Sequence, residues 1–115
     1  MQLFSWDGVQ KEMLREGVGR KVINVENMTV AQVFLAKDAV IPSHRHEGEE
    51  IGCPLEGSIR VDVEGKEVVV AKGEVIHVPG NVPHSLVALE DSVILYVFSP
   101  IRRDWLDGRD SYLRQ

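Results

Sequence analysis

The run Ser58-Ile59-Arg60-Val61-Asp62-Val63 alternates apolar and polar side chains, Glu64-Gly65 interrupts it, and Lys66-Glu67-Val68-Val69-Val70-Ala71 resumes it. A period of two buries one face of a strand and wets the other, and an acidic residue followed by glycine is turn chemistry for a hairpin. The same grammar covers most of the chain. Lys21–Asn27 and Met28–Asp38 are rich in β-branched residues, with Glu26-Asn27 as the turn between them. Glu74–Pro79, Ser85–Glu90 and the apolar Ser92–Pro100 follow, set off by Gly73 and by Gly80-Asn81-Val82-Pro83-His84. About seven or eight short strands, spaced roughly 8–12 residues apart, predict an all-β sandwich or barrel. Residues 1–20 mix charge and glycine with scattered apolar side chains and are expected as an irregular or short helical lead-in. Residues 101–115 are expected as a tail packed on the barrel through Trp105 and Leu106. At 115 residues the chain fits a single domain.

A net charge of -5, with no basic run longer than Arg102-Arg103, lacks the electrostatic footprint of nucleic-acid binding. Apolar runs such as Val68–Ala71 fall far short of the roughly 20 residues that cross a bilayer, and the N-terminus has no basic-then-apolar signal pattern. Neither nucleic acid nor membrane is expected as a partner, and the expected location is cytoplasmic. The single cysteine, Cys53, has no partner within the chain, which suits a reducing compartment.

The chemistry concentrates in Ile41–Gly57. On a strand, His44 and His46 point the same way, so both imidazoles can meet one metal ion while Arg45 faces away. Glu47, Glu49 and Glu50 are candidate carboxylate partners, and Gly48 implies a bend that keeps parity from choosing among them. Taken alone, a His-x-His pair is as well explained by solvated surface histidines. A second element strengthens it: Gly73–His84 reads as a strand and a turn ending in histidine, which a folded sheet can bring opposite the first. His77 is expected to be a surface or structural histidine.

Together the two segments resemble the paired motifs of the cupin superfamily. The first family motif runs glycine, five residues, His-x-His, three or four residues, glutamate, six residues, glycine. His44, His46, Glu50 and Gly57 match it, while Asp38 holds the leading glycine position. In the second, Gly73, Pro79 and His84 match, Asn81 replaces a glycine, and Ala88 stands where an asparagine is usual. Asn visits the left-handed region more readily than most residues, so Asn81 is compatible with the turn. The resemblance implies a cupin double-stranded β-helix, or jelly-roll barrel, as one domain over 1–115. It implies His44, His46, Glu50 and His84 as ligands of a divalent transition metal, which their chemistry leaves open among Mn, Fe, Co, Ni, Cu and Zn. Glu47 and Glu49 then become rim charge.

The C-terminal stretch Val97–Leu106, with Asp107-Gly108 and Tyr112-Leu113-Arg114, is similar to small single-domain cupins of the pectin degradation protein type. That resemblance implies a homodimer that converts an unsaturated uronate to its linear keto form, with Phe98 and Arg102 beside the substrate. An arginine fork is suited to a uronate carboxylate. The group carries an aspartate where this chain has Tyr96. A phenol with a pKa near 10 is a poor base at neutral pH, so Tyr96 is expected as an acid or a hydrogen-bond donor. Pro54, at a usual strand valine, removes a ladder donor and predicts an edge or a bulge. A cupin dioxygenase and a small-ligand-binding cupin without turnover are the alternative functions.

Overall fold

The computed structural model describes residues 1–115 and turns the alternating runs into ten strands. A 3-10 turn at Trp6–Gly8 precedes β1 (Glu12–Arg15), β2 (Val18–Asn24), β3 (Thr29–Leu35), β4 (Val40–His44) and β5 (Glu49–Glu56). Then come β6 (Ser58–Val63), β7 (Lys66–Ala71), β8 (Ile76–Val78), β9 (His84–Ala88) and β10 (Ser92–Ser99). Two one-turn helices, α1 (Arg103–Leu106) and α2 (Ser111–Arg114), end the chain.

All pairings are antiparallel and build two sheets, ordered β1-β2-β3-β10-β5-β8 and β4-β9-β6-β7. The two sheets close into a single jelly roll. Alternation decides which side chains enter it: β3 buries Ala31, Val33 and Leu35, and β10 buries Ile94, Tyr96 and Phe98. Ile59, Val61, Leu86 and Ala88 fill the inner face of the smaller sheet. The β6–β7 hairpin turns through Glu64 and Gly65, both left-handed at φ 53° and 82°, which matches the twist of the flanking strands.

The expected irregular lead-in needs correction. Glu12–Arg15 is a strand, and β2 begins at Val18 rather than at Lys21. Leu14 and Val18 belong to the core, and β1 pairs with β2 across an irregular register. Charged residues at 11, 12, 15 and 16 hid this pattern, because β1 is an edge strand with one wet face. In the tail, Trp105 is half-buried against the core but Leu106 is exposed, so Trp105 and Leu113 make the apolar contacts.

Pro54 sits beside a bulge: Glu56 pairs with Val93 and Pro54 with Ile94, leaving Leu55 as the extra residue. Asp38 and Asn81, which replace motif glycines, take φ 72° and 61°. Both positions require the left-handed region, and Asp and Asn enter it at lower cost than other non-glycine residues. No helix is long and apolar enough to cross a membrane.

Candidate metal centre and its cleft

His44 ends β4 and pairs directly with His84, the first residue of β9. A bulge between Ile41 and His44 sets this register. Glu50 comes from the other sheet, paired with Phe98 of β10, and His46 lies in the loop joining β4 to β5. The cluster therefore spans the gap between the sheets. The loop carrying His46 is pressed onto the end of β10: a Cβ on Gly48 would meet the Ser99 carbonyl oxygen at 2.5 Å. Asn81 N–H donates to the His46 carbonyl at 2.7 Å and ties the two motif loops together.

Each histidine is aimed by its own backbone. The Nδ1 atoms of His44, His46 and His84 lie 2.8, 2.9 and 2.8 Å from the carbonyls of Pro42, Gly48 and Val82. A carbonyl only accepts, so all three rings carry a proton on Nδ1, which leaves Nε2 as the ligating atom. Ligand atoms of the three histidines lie within 4.8 Å of one another. Glu50 Oε1 is 2.9 Å from His46 Nε2 and 3.1 Å from His84 Nε2. A lone pair facing a carboxylate oxygen at that distance is repulsive unless a proton or a metal cation lies between them. The three imidazoles therefore form a donor set that fits a transition metal, with the Glu50 carboxylate beside two of them.

The electrostatics agree. Burial works to raise the Glu50 carboxyl, but hydrogen bonds from His46 and His84 and their charge hold it at about 2. Burial works against a charged His84, yet the Glu50 hydrogen bond and charge raise its pKa. His44 is pushed down to about 4 by burial, aided by the charges of His84, Arg102 and His46 and opposed by the Pro42 carbonyl. The cluster is thus poised for cations.

The flanking acids separate cleanly. Glu47 and Glu49 face solvent, and Glu49 binds His77 at 2.8 Å on the surface, away from the cluster. Inward positions follow 44, 46, 48 and 50 without a break. Gly48 did not disturb the parity, and simple alternation picks Glu50 out of the three glutamates.

Phe98 packs edge-on to His46, with centroids 5.7 Å apart, and stacks on Tyr96. Tyr96 fits because Gly52 leaves room for it: a Cβ there would meet Tyr96 Cε1 at 2.7 Å. The hydroxyl makes no hydrogen bond within the chain, and burial, reinforced by the Glu50 charge, lifts its pKa well above that of an ordinary phenol. The Tyr96 phenol therefore keeps its proton at neutral pH.

Arg102 is buried beneath the tail and stacked on Phe98 and Trp105. Its Nε and Nη2 donate to Asp104 at 2.9 and 2.7 Å, and Nη2 also meets the Tyr112 hydroxyl. The fork expected to grip a substrate carboxylate is thus clasped on one edge by the chain's own aspartate, leaving Nη1. Tyr112 stacks flat on His44 at 4.3 Å. Asp104 and Tyr112 were not singled out as site residues from the sequence. Their signal was faint: Asp104 adjoins Trp105, and Tyr112 lies seven residues beyond it.

Two spaces adjoin the cluster. An outer cleft of about 500 Å³ is lined by His44, His46 and Tyr112 together with Arg45, Arg102, Arg103 and Arg109, against the carboxylates Glu47 and Asp104. An inner cavity of about 40 Å³, bounded by His44, Glu50, His84, Tyr96 and Arg102, reaches into the barrel.

Sequence and fold comparisons agree with this architecture. A Cupin domain family model matches residues 31–99. The chain is 33% identical over 98 residues to the pectin degradation protein KdgF of Dickeya dadantii (strain 3937), covering 83% of this chain and 89% of that protein. A structure of KdgF from Halomonas sp. superposes with a TM-score of 0.85 at 28% identity, covering 91% and 98% of the two chains. A structure concerned with the Mn(II) centres of Bacillus subtilis oxalate decarboxylase aligns with a TM-score of 0.75 at 26% identity, over 84% of this chain and 29% of that one.

Proposed function

The chain belongs to the cupin family, and from that premise we propose that it is a metal-dependent enzyme that converts an unsaturated uronate, or a related small sugar acid, to its linear keto form. The observation that carries this reading is the outer cleft: a protein of net charge -5 gathers four arginines against two carboxylates beside its histidine cluster. Such a cleft concentrates a small anion at the cluster. Relatedness to a pectin degradation protein supports a sugar acid as that anion.

His44, His46, Glu50 and His84 would hold the metal, which supplies a Lewis acid for a ring or carbonyl oxygen. Arg102 pairs with the carboxylate through Nη1, the nitrogen that Asp104 and Tyr112 leave free. Phe98 and Trp105 keep that guanidinium fixed by stacking. Ring opening of a 4,5-unsaturated uronate releases an enol, and its tautomerisation moves a proton from oxygen to carbon. Tyr96, held neutral by burial, would give the proton that carbon takes, while the enol O–H releases its own to water and water reprotonates the phenolate.

A homodimer is part of this reading, supported by Ile51, Leu55 and Val75, which expose apolar surface on and beside the β5–β8 edge. Sedimentation tests it. A cytoplasmic setting is supported by the unpaired Cys53, and cell fractionation tests it.

The experiment is the loss of ultraviolet absorbance of an unsaturated galacturonate monomer, with metal-loaded protein beside a chelator-stripped control. Metal-dependent acceleration supports ketonisation. Full occupancy without acceleration rejects it. Substrate-dependent oxygen uptake would instead favour the dioxygenase alternative, and ligand binding without either signal the binding role.

A further inference from the structure

Arg20 lies on β2 at the same inward parity as Val18, and is 4% exposed. Its Nε donates to Glu12 Oε1 at 2.9 Å and its Nη2 to Asp110 Oδ2 at 2.7 Å. Those two nitrogens share one edge of the guanidinium, so that edge faces β1 and the tail. Nη1, on the other side, is buried and has no hydrogen-bond partner. Arg20 also lines the inner cavity that Glu50, Tyr96 and Arg102 line.

Burying a donor without an acceptor is costly, and proteins rarely tolerate it away from sites of function. The Trp105 ring, 4.5 Å from the Arg20 guanidinium carbon, offsets part of the charge but accepts no conventional hydrogen bond. Arg102 repeats the arrangement: its Nε–Nη2 edge is clasped by Asp104, and its guanidinium carbon lies 4.4 Å from the same Trp105 ring. Two arginines that line the cavity are thus each oriented by a tail aspartate and each touch one tryptophan, and Nη1 of Arg20 is left buried without a partner. The Tyr96 hydroxyl is a further donor without a partner there.

We propose that Arg20 is a second substrate-positioning arginine, whose free Nη1 donates to a hydroxyl or carbonyl oxygen at the end of the sugar acid remote from the carboxylate held by Arg102. The proposal rests on the uronate reading above for its ligand class. The inner cavity of about 40 Å³ admits about three waters' worth of ligand atoms, so one oxygen-bearing group enters it. The rest of the sugar lies in the outer cleft, which shares His44, Arg102 and Tyr112 with the cavity. Asp110 acts through Arg20, by holding its orientation.

Arg20→Lys keeps a charge for Asp110 and Glu12 but loses Nη1. Asp110→Asn keeps an oxygen for Nη2 and leaves Nη1 in place. Both are made in a Trp6→Phe background, so that Trp105 is the sole tryptophan, and titrated in metal-loaded form with D-galacturonate while its fluorescence is read. Turnover of the unsaturated sugar is measured in parallel. Arg20→Lys is expected to weaken galacturonate binding and raise KM about tenfold with kcat within threefold, whereas Asp110→Asn, which loosens Arg20 but keeps its Nη1, is expected to raise KM only about threefold. A purely structural Arg20 would make the two variants equally damaging, and that result overturns the proposal. Binding by Arg20→Lys as tight as in the unsubstituted background overturns it too, whatever the turnover. Parent protein that binds galacturonate without turning over the unsaturated sugar rejects ketonisation, and Arg20 is then judged by binding alone. Parent protein that does neither overturns both.

Discussion

Replacing Gly52 by alanine would place a methyl group 2.7 Å from Cε1 and 3.1 Å from Cδ1 of Tyr96, with Ile76 Cγ2 at 3.6 Å. Carbon atoms settle at about 3.5–4.0 Å, so the ring must retreat by roughly 0.8 Å or more. Retreat is resisted, because Tyr96 is buried and stacked on Phe98, with centroids 5.6 Å apart. Overpacking of this kind costs about 1–3 kcal/mol. An unfolding entropy of about 2.1 cal/mol/K per residue puts the whole chain near 0.24 kcal/mol/K, so each kcal/mol is worth about 4 °C. The expected fall in Tm is therefore about 4–12 °C. Calorimetry should be done on chelator-stripped protein, because a bound metal would add its own stabilisation by mass action. Tyr96→Leu removes the ring, so Gly52→Ala in that background should cost less than about 1 kcal/mol. A Tm within about 1 °C of wild type for Gly52→Ala alone would show that the ring is not seated over Gly52, and the donor role of Tyr96 would be lost with it.

His46→Ala should lose its metal on exhaustive dialysis while His77→Ala keeps it, as read by elemental analysis; full metal content in His46→Ala would refute the ligand set. Because its Glu50 partner raises the His84 pKa, the metal-free site holds a proton there above the usual range. Metal binding near pH 6.5 should then release a proton and weaken as pH falls, measurable by calorimetry in buffers of different ionisation enthalpy; no release would contradict the His84–Glu50 pairing. Burial works to raise the Asp110 carboxyl, but hydrogen bonds from Arg114 and Arg20 hold it below the ordinary value. A folded pKa below the unfolded one gives stability that is present above about pH 4 and is lost as pH falls through the folded value. Asp110→Asn should therefore lose less Tm between pH 5 and pH 3 than wild type does, and equal losses would argue against this pair.

The alternation in Ser58–Val63 and Lys66–Ala71 was enough to define a hairpin, because the period of two and the Glu64-Gly65 turn are local properties of the chain. The same locality made the His44-His46 pair legible, whereas Glu50 was singled out from its neighbours only by resemblance to the family motif. The family motif set Asp38 and Asn81 at glycine positions, and the side-chain chemistry of Asn81 made its place there intelligible. What the sequence could not decide is which distant residues would meet. β1 looked irregular because an edge strand hides half its pattern in charge. Arg20 carries no signal of its own in the sequence, and only the pairing of β2 with β3 turns it into the barrel beside a tail ninety residues away. Arg102 looked free to grip a substrate until the tail folded back and set Asp104 on one edge of its fork. The fit of Tyr96 depends on Gly52, which only the register of β5 against β10 brings beneath its ring. Local conformational preference wrote the strands and the histidine pair, but antiparallel register and the docking of the tail chose the partners of Arg20 and brought His84 to Glu50, because those contacts exist only once the sheets have closed.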